Sequence, residues 1–471
     1  MLQKVHSSYF LDSEKHLSFL NTRGEIFMKI AFIGAGSVGF TRKMVTDILT
    51  VPEFHDIEIS LMDIDSNNLE MIYNVLNKDI KANGLDKVRL SKTTDRRESL
   101  RGARYIFSFM RVGGLEAFAL DVEIPMKYGV NQCVGDTLCA GGIMYGQRTV
   151  PVILDLCKDI KEVAESGALF LNYSNPNAMN TWAANTWGGV QTLGLCHGVQ
   201  HGHEQIAKVL GLPLSEVDII CAGINHQTWY IQILYKGKDM RGKLLEAFKN
   251  HPEYSKQEKV RIDILERFGY FSTESNGHLS EYLAWYRKRP DEIDKWIDYS
   301  EWLHGEPGGY LRNCREQRAQ FEEEAKQYDT MEPARYTEAN RSSEHGSRII
   351  EALETGRIYR GHFNVINKGA ISNLPADAVV EVPGYADRNG ISIPIVGDLP
   401  TPCAVICNQS IAVQRLAVEA AMEGNPQKLK QAMLFDPLTG AVCNPPEVWA
   451  MADEMLKAEA KWLPQYKGYI K

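Results

Sequence analysis

Met28-Lys-Ile-Ala-Phe-Ile-Gly-Ala-Gly-Ser-Val-Gly39 is an apolar strand that runs straight into Gly34-x-Gly36-x-x-Gly39, with a helical pattern behind it. That order suits a dinucleotide. The first glycine allows a tight turn, the second lets backbone approach a pyrophosphate, the third lets helix pack on strand, and the helix N-terminus attracts phosphate. Gly34, Gly36, Ser37 and Gly39 are therefore expected to bind NAD. A second apolar run, Ile57-Glu-Ile-Ser-Leu-Met62, ends in Asp63, where an acid grips a ribose hydroxyl in such folds. Glycines alone serve many strand-to-helix turns; the acid at this place is what favours the cofactor.

Working outward, residues 28 to about 195 alternate strand-like and helix-like segments, as an α/β Rossmann-type sheet requires. Tyr105 to Met110 and Ala168 to Tyr173 read as buried strands ending at Arg111 and near Asn175. Ligands of open parallel sheets sit beyond the carboxyl ends of strands, so Arg111, Asn175 and whatever follows Leu195 should converge near the cofactor. From about residue 200 the pattern turns irregular, mixing helices such as Ser410 to Met422 with runs such as Ala378 to Val382. The 471 residues thus divide into an N-terminal extension (1–27), a dinucleotide-binding domain (28–200) and a larger mixed α/β domain for substrate and metal (201–471). The stretch Glu306-Pro-Gly-Gly309 has the composition of a linker.

A net charge of −8 without basic runs argues against nucleic-acid and anionic-membrane partners. No stretch approaches the roughly 18 apolar residues of a membrane span. Residues 1–27 lack the continuous apolar core of a secretory signal. Nine cysteines without regular spacing do not form a disulfide framework, which suits the reducing cytoplasm.

Three polar clusters interrupt apolar strands or their ends. Cys196-His197-Gly198-Val199 follows Thr192-Leu-Gly-Leu195, and Asn225-His226 follows Val217 to Ile224. A thiolate and an imidazole brought together from two strands can hold a divalent metal with positions left for water or substrate. Taken singly, a buried Cys is a small hydrophobe and a lone His a satisfied core residue. Gly135-Asp136-Thr137 is a glycine-flanked acid whose plain reading is a capped turn. A further stretch, Gly269 to Tyr282, is dense in acids, phenols and imidazole without a clean period, so it either covers a site or faces solvent. A tyrosine there acts as a base only if a nearby cation depresses its pKa from about 10.

Together these residues resemble the family 4 glycoside hydrolases, the NAD- and metal-dependent group that includes α-galactosidases and certain α-glucosidases. The likeness runs through Phe32-Ile-Gly-Ala-Gly-Ser37, Leu61-Met-Asp-Ile-Asp65, Gly135-Asp-Thr137, Asn172-Tyr-Ser-Asn-Pro176, Ala178 to Trp182, Cys196-His-Gly-Val199, Ala222-Gly-Ile-Asn-His226, Gly269-Tyr-Phe271 and Thr273-Glu-Ser275. It continues through Asn373-Leu-Pro375, Val380-Glu-Val-Pro383 and Trp462-Leu-Pro464. The resemblance implies a fold like that of lactate and malate dehydrogenases, with NAD retained and Mn2+ held by Cys196 and His226. It implies hydrolysis of a small-molecule α-glycoside, most simply an α-galactoside, by oxidation at C3, elimination across C1 and C2, water addition and re-reduction. This departs from two-carboxylate glycosidase chemistry, to which the family is a recognised exception. Asn175, Asn225, Arg111 and His278 would contact substrate, and Asn175 also the nicotinamide ribose. Asp136 or His197 would be the acid, and Tyr282, ahead of Tyr270, the base, with His278 as the alternative. Homodimers or homotetramers are implied as well.

His197, directly after the presumed metal-ligand Cys, resembles members acting on unphosphorylated sugars. Gly198 replaces a Ser more usual in α-galactosidases, Cys139-Ala140 replace Gly-Pro, and Leu283-Ala-Trp-Tyr286 replace a Thr-Pro-Trp-Phe-like run. All are expected at the sugar-facing edge, which keeps open an α-glucoside or a C6-acidic sugar such as a glucuronide, galacturonide or sulfoquinovoside. An NAD-dependent sugar or hydroxy-acid dehydrogenase and a non-catalytic NAD sensor are the alternatives outside glycoside hydrolysis.

Overall fold

Strand β1 (Lys29–Ile33) is buried at four of its five residues, the signature of a strand covered on both faces. In the computed structural model, which describes residues 27–470 apart from 326, 328 and 329, Ile30 and Phe32 pack with Met44, Val45 and Ile48 of the helix Val38–Leu49. Ala31 and Ile33 point the other way, onto Ile153, Leu156 and Cys157 of the helix Cys139–Val163. The alternation of neighbouring side chains thus places one helical layer on each side of the sheet. The expected extension of residues 1–27 lies, Phe27 aside, outside the described residues.

Around β1 the strands β2 (Glu58–Met62), β3 (Arg89–Thr93), β4 (Tyr105–Ser108), β5 (Leu169–Asn172) and β6 (Thr192–Gly194) run parallel in the order β3-β2-β1-β4-β5-β6. This is the doubly wound order expected of a dinucleotide fold. The same sheet then continues with antiparallel strands. β10 (Tyr359–Ile366) pairs with β6, β11 (Val379–Asp387) with β10, β7 (Val217–Ile224) with β11, β8 (Gln227–Tyr235) with β7 and β9 (Lys238–Asp239) with β8. A short β12 (Gly390–Ser392) flanks β11, giving 12 strands among the described residues.

Two expectations change. The boundary at residue 200 falls inside the helix Gly198–Leu210, by which the chain leaves β6, and one sheet serves both halves. Nor is Glu306 to Gly309 a linker: the Gly308 amide donates to the Gln132 carbonyl at 2.7 Å, and the turn leads directly into the helix Gly309–Ala325. Among the described residues no helix is long and apolar enough to cross a membrane. All nine cysteines are free thiols.

A buried ion network ties the C-terminal segment to the helices Gly114–Lys127 and Cys139–Val163. Arg148, 1% exposed, donates to both oxygens of Asp121 at 2.8 and 2.5 Å, to Glu459, and through Nε to the Val112 carbonyl at 3.3 Å. Replacing Arg148 by Met leaves two carboxylates buried and facing each other. A loss of about 3–5 kcal/mol in unfolding free energy is expected, read as a lower urea midpoint. A midpoint equal to that of the wild type would show that the network carries no stability.

Candidate active site

The glycine turn is built around two close approaches. Gly34 adopts φ +85°, and a Cβ there would lie 2.9 Å from the Met110 amide nitrogen. A Cβ on Gly36 would lie 2.7 Å from Asp63 Oδ2, the atom that accepts the Gly36 N–H at 2.7 Å. Ser37 sits at the N-cap of Val38–Leu49 without a side-chain capping bond, so that helix end is open to an anion. Gly39 differs from expectation. It is exposed, and a Cβ on it would meet nothing within 4 Å, because it sits on the outer side of the helix rather than against a strand.

The carboxyl ends of β1, β4, β5 and β6 open into one cavity of about 1240 Å³. Gly34, Ser37 and Asp63 line one part of it, and Arg111, Asp136, Asn175, Cys196, His197, His226 and His278 another. Cofactor turn and polar clusters therefore share a single space.

Three side chains converge within it. Cys196 lies two residues past β6 and receives the Gly198 N–H on its sulfur at 3.4 Å. His226 is the second residue of the two-residue loop between β7 and β8, at φ +63°. The third, Glu274, comes from the segment after Gly269. There the Thr273 amide donates to the Thr228 carbonyl and the Tyr230 amide to the Phe271 carbonyl, both at 2.9 Å, extending the β7–β8 hairpin by a short antiparallel stretch. Glu274 thus arrives beside the hairpin tip. Ligand atoms of Cys196, His226 and Glu274 all lie within 4.8 Å of one another. The sequence reading gave Glu274 no role; the available signal was the pairing capacity of Tyr270-Phe-Ser-Thr273 beside an acid.

Charge in the site is arranged around Glu274. Burial pushes its carboxyl up, but His226, His278, His197 and His201 outweigh this and hold it at about 2. Its Oε2 lies 3.1 Å from His226 Nε2 and 3.5 Å from His278 Nε2. Burial, then the nearby Glu274 and Glu381, push the Cys196 thiol well above its usual value. A cation placed among these atoms would reverse that push and free the thiolate. The two other imidazoles diverge. Burial draws His278 down to about 4, whereas at His197 the pull of burial is overcome by Glu344, 3.6 Å from Nδ1, and by Glu274, so its pKa is raised.

Several expected residues sit elsewhere. Tyr270 does not line the cavity and stacks instead near the Arg241 guanidinium. Tyr282 is fully buried, its hydroxyl 3.5 Å from His226 Nδ1 on the side away from Glu274, and burial raises its pKa well above 10. A phenol so placed is a poor base. Asn225 is buried beneath the hairpin tip, donating to Glu381 at 3.4 Å, and is absent from the cavity lining because the turn directs His226 there instead. Asp136 lies in the lining with both oxygens engaged, accepting from Thr137 at 2.9 Å and from Asn175 at 3.0 Å. Arg111 donates to Tyr310 at 3.1 Å and keeps its buried Nη1 without a partner. The divergent residues Cys139, Ala140 and Leu283 to Tyr286 do not line the cavity either. Cys139 and Ala140 are fully buried at a helix start, and the Tyr286 hydroxyl donates to Asp263 at 2.7 Å.

Comparison with known proteins agrees with this layout. Residues 29–212 match the model "Family 4 glycosyl hydrolase", and residues 221–439 match "Family 4 glycosyl hydrolase C-terminal domain". An α-galactosidase of Rhizobium meliloti is 61% identical over 94% of this chain and 90% of its own length. The solved 6-phospho-α-glucosidase from gut microorganisms, in complex with NAD and glucose-6-phosphate, matches with a TM-score of 0.77 and 27% identity, over 94% of this chain and 100% of that one. The 6-phospho-β-glucosidase of Thermotoga maritima, solved with manganese, NAD+ and glucose-6-phosphate, shares the fold at a TM-score of 0.75 and 23% identity, over 92% and 99%. With matches that cover both halves of the sheet and the segments bearing Cys196, His226 and Glu274, the chain belongs to glycosyl hydrolase family 4.

Proposed function

We propose that this chain hydrolyses α-galactosides, with NAD+ and a divalent ion, Mn2+, as resident cofactors. The observation that carries the reading is the single cavity joining the glycine turn and Asp63 to Cys196, His226 and Glu274. The galactoside follows from the 61% identical relative, an α-galactosidase.

The residues present fit both cofactors. Gly36 offers the bare backbone a pyrophosphate needs, the uncapped helix end at Ser37 faces the same space, and Asp63 retains lone pairs for ribose hydroxyls. Cys196, His226 and Glu274 supply a sulfur, a nitrogen and an oxygen to one point. When bound, the dinucleotide supplies a hydride acceptor at the sugar C3, and the ion supplies Lewis acidity at the C2 and C3 oxygens. His278 is the lining residue suited to accept the C2 proton, since burial keeps its imidazole neutral and the Ser275 hydroxyl, 2.7 Å from Nδ1, orients the ring. His197, raised by its carboxylate neighbours and half exposed, is suited to donate a proton to the departing glycosidic oxygen. Two imidazoles driven apart by their surroundings thus divide acid from base. Asn175 and Arg111 stand on the same wall to meet sugar hydroxyls.

A second reading, an α-glycoside of a C6-acidic sugar, is favoured by the Arg111 guanidinium in the cavity wall, whose charge would draw a carboxylate or sulfonate. The reading places the enzyme in the cytoplasm, consistent with nine free thiols. Homodimers or homotetramers accord with exposed apolar side chains such as Ile395, Val405 and Phe435.

Hydrolysis of p-nitrophenyl α-galactoside is expected to vanish when NAD+ and Mn2+ are stripped and to return when both are restored, without net NADH. In heavy water the released sugar should carry deuterium at C2. Hydrolysis by the stripped protein would overturn the reading, and a preference for α-galacturonides would select the second one. Cys196→Ala and Glu274→Gln should each weaken Mn2+ binding at least tenfold in calorimetry while NAD+ affinity is kept; unchanged affinity would remove that residue from the ion site. His197→Asn should lower kcat/KM about 10²–10⁴-fold for a disaccharide, whose leaving oxygen needs a proton, and far less for the p-nitrophenyl glycoside. Equal losses on the two substrates would deny His197 the acid's role.

A further inference from the structure

His226 occupies an awkward backbone position. At φ +63° it sits in the left-handed region, and a two-residue loop gives its side chain few local restraints. What holds the ring is remote in sequence. The Thr137 hydroxyl lies 3.0 Å from His226 Nδ1 and 2.9 Å from Asp136 Oδ1, and Asp136 Oδ2 accepts from the Asn175 amide at 3.0 Å. Thr137, Asp136 and His226 are 1%, 2% and 6% exposed, so bulk water does not replace these partners.

Counting protons fixes the direction of the relay. A threonine hydroxyl has one hydrogen, and the carboxylate oxygen beside it accepts, so that hydrogen goes to Asp136. The threonine oxygen is then left as the acceptor nearest Nδ1, at 3.0 Å against 3.5 Å for the Tyr282 hydroxyl, and this places the imidazole proton on Nδ1. The Nε2 lone pair is thereby turned towards Glu274 Oε2, 3.1 Å away. A lone pair cannot face a carboxylate oxygen at that distance unfilled: a second proton, making the imidazolium, or a metal cation in its place must join them. Cys196 closes the same space from a third direction.

We propose that Thr137 is a positioning residue that selects the Nδ1–H form of His226 through Asp136 and so sets the affinity of the ion site. This rests on the reading that Cys196, His226 and Glu274 hold a divalent ion. Partners of this kind, bonded to the far nitrogen of a metal-bound imidazole, contribute roughly 10–100-fold to metal affinity. Asn175 anchors the outer end of the relay from the wall of the substrate cavity.

The test is Mn2+ calorimetry on the full chain saturated with NAD+, using Thr137→Val, which keeps the shape and removes the hydroxyl, and Thr137→Ser, which restores it. Val is expected to weaken Mn2+ binding 10–100-fold, Ser to stay within about threefold of wild type, and NAD+ affinity to hold in both. With 15N-labelled histidine, the His226 imidazole in the wild type should show its proton on Nδ1, and the Val variant should show a mixture of tautomers. Should Cys196→Ala lose Mn2+ while Thr137→Val binds it like wild type, or should Ser do no better than Val, the relay is refuted and the ion site stands. Should Cys196→Ala and Glu274→Gln both bind Mn2+ as wild type does, the ion site falls and the relay with it.

Discussion

Everything at the site depends on one sheet continuing past β6. That strand is three residues long, paired in parallel to β5 and joined to β10 by a single residue pair, Gly194 with Asn364. The β11–β7 junction likewise rests on one pair, Glu381 with Gly223. Such short ladders are held in register by side chains. The Asn177 amide donates to the Asn172 and Leu195 carbonyls at 3.2 and 3.0 Å, and the Asn364 amide to the Gly194 carbonyl at 3.3 Å. A one-residue slip in any of these strands would turn alternate side chains to the opposite face. Cys196, two residues past β6, and His226 at the tip of β7–β8 would then no longer face one another.

Sheet continuity brings the groups together; electrostatics makes the arrangement want a ligand. A carboxylate ringed by imidazoles, a thiol pushed up by burial and two acids, and a histidine held from behind all turn donor atoms towards one point. A cation among them settles all three, whereas apolar packing would settle none. The same crowding separates His197 from His278. Both lie near Glu274, yet Glu344, 3.6 Å from His197, and Glu274 together overcome burial there, while at His278 burial outweighs Glu274 and lowers it.

The parallel half was legible because its signals are local. An apolar strand, a glycine turn and a helix are contiguous from Met28 to Leu49, and Asp63 follows one strand later. Cys196 and His226 were legible as polar residues ending apolar strands. Glu274 was not, since its place comes from three residues pairing with β8, a contact without periodicity of its own. The insertion of β10 and β11 between β6 and β7 was equally hidden: it depends on pairings between residues more than 150 positions apart. Tyr282 and Tyr270 looked suited to proton transfer because their segment is rich in polar groups, but the short helix Asn276–Glu281 turns Tyr282 into the core.

The departures from the α-galactosidase pattern are expected at the sugar-facing edge, and their positions give them another meaning. A Cβ on Gly198 would lie 2.9 Å from Glu274 Cγ and 3.0 Å from its Cδ. A serine there would have to move the carboxylate that Cys196 and His226 share, so the glycine accommodates this chain's own placing of Glu274. Cys139 takes φ +60° at a buried helix start, where its amide donates to Asp436 at 2.9 Å and its thiol to the Glu281 carbonyl at 3.2 Å. Glu281 in turn accepts from the amides of Cys133 and Val134 at 2.7 and 3.0 Å, just ahead of Asp136. These residues support the loop that carries Asp136 and Thr137 from behind, out of reach of the cavity. Sequence divergence at such places alters how the loop is braced rather than which ring it faces, and the wall that meets the ring is made by other residues, Arg111, Asn175 and His197 among them.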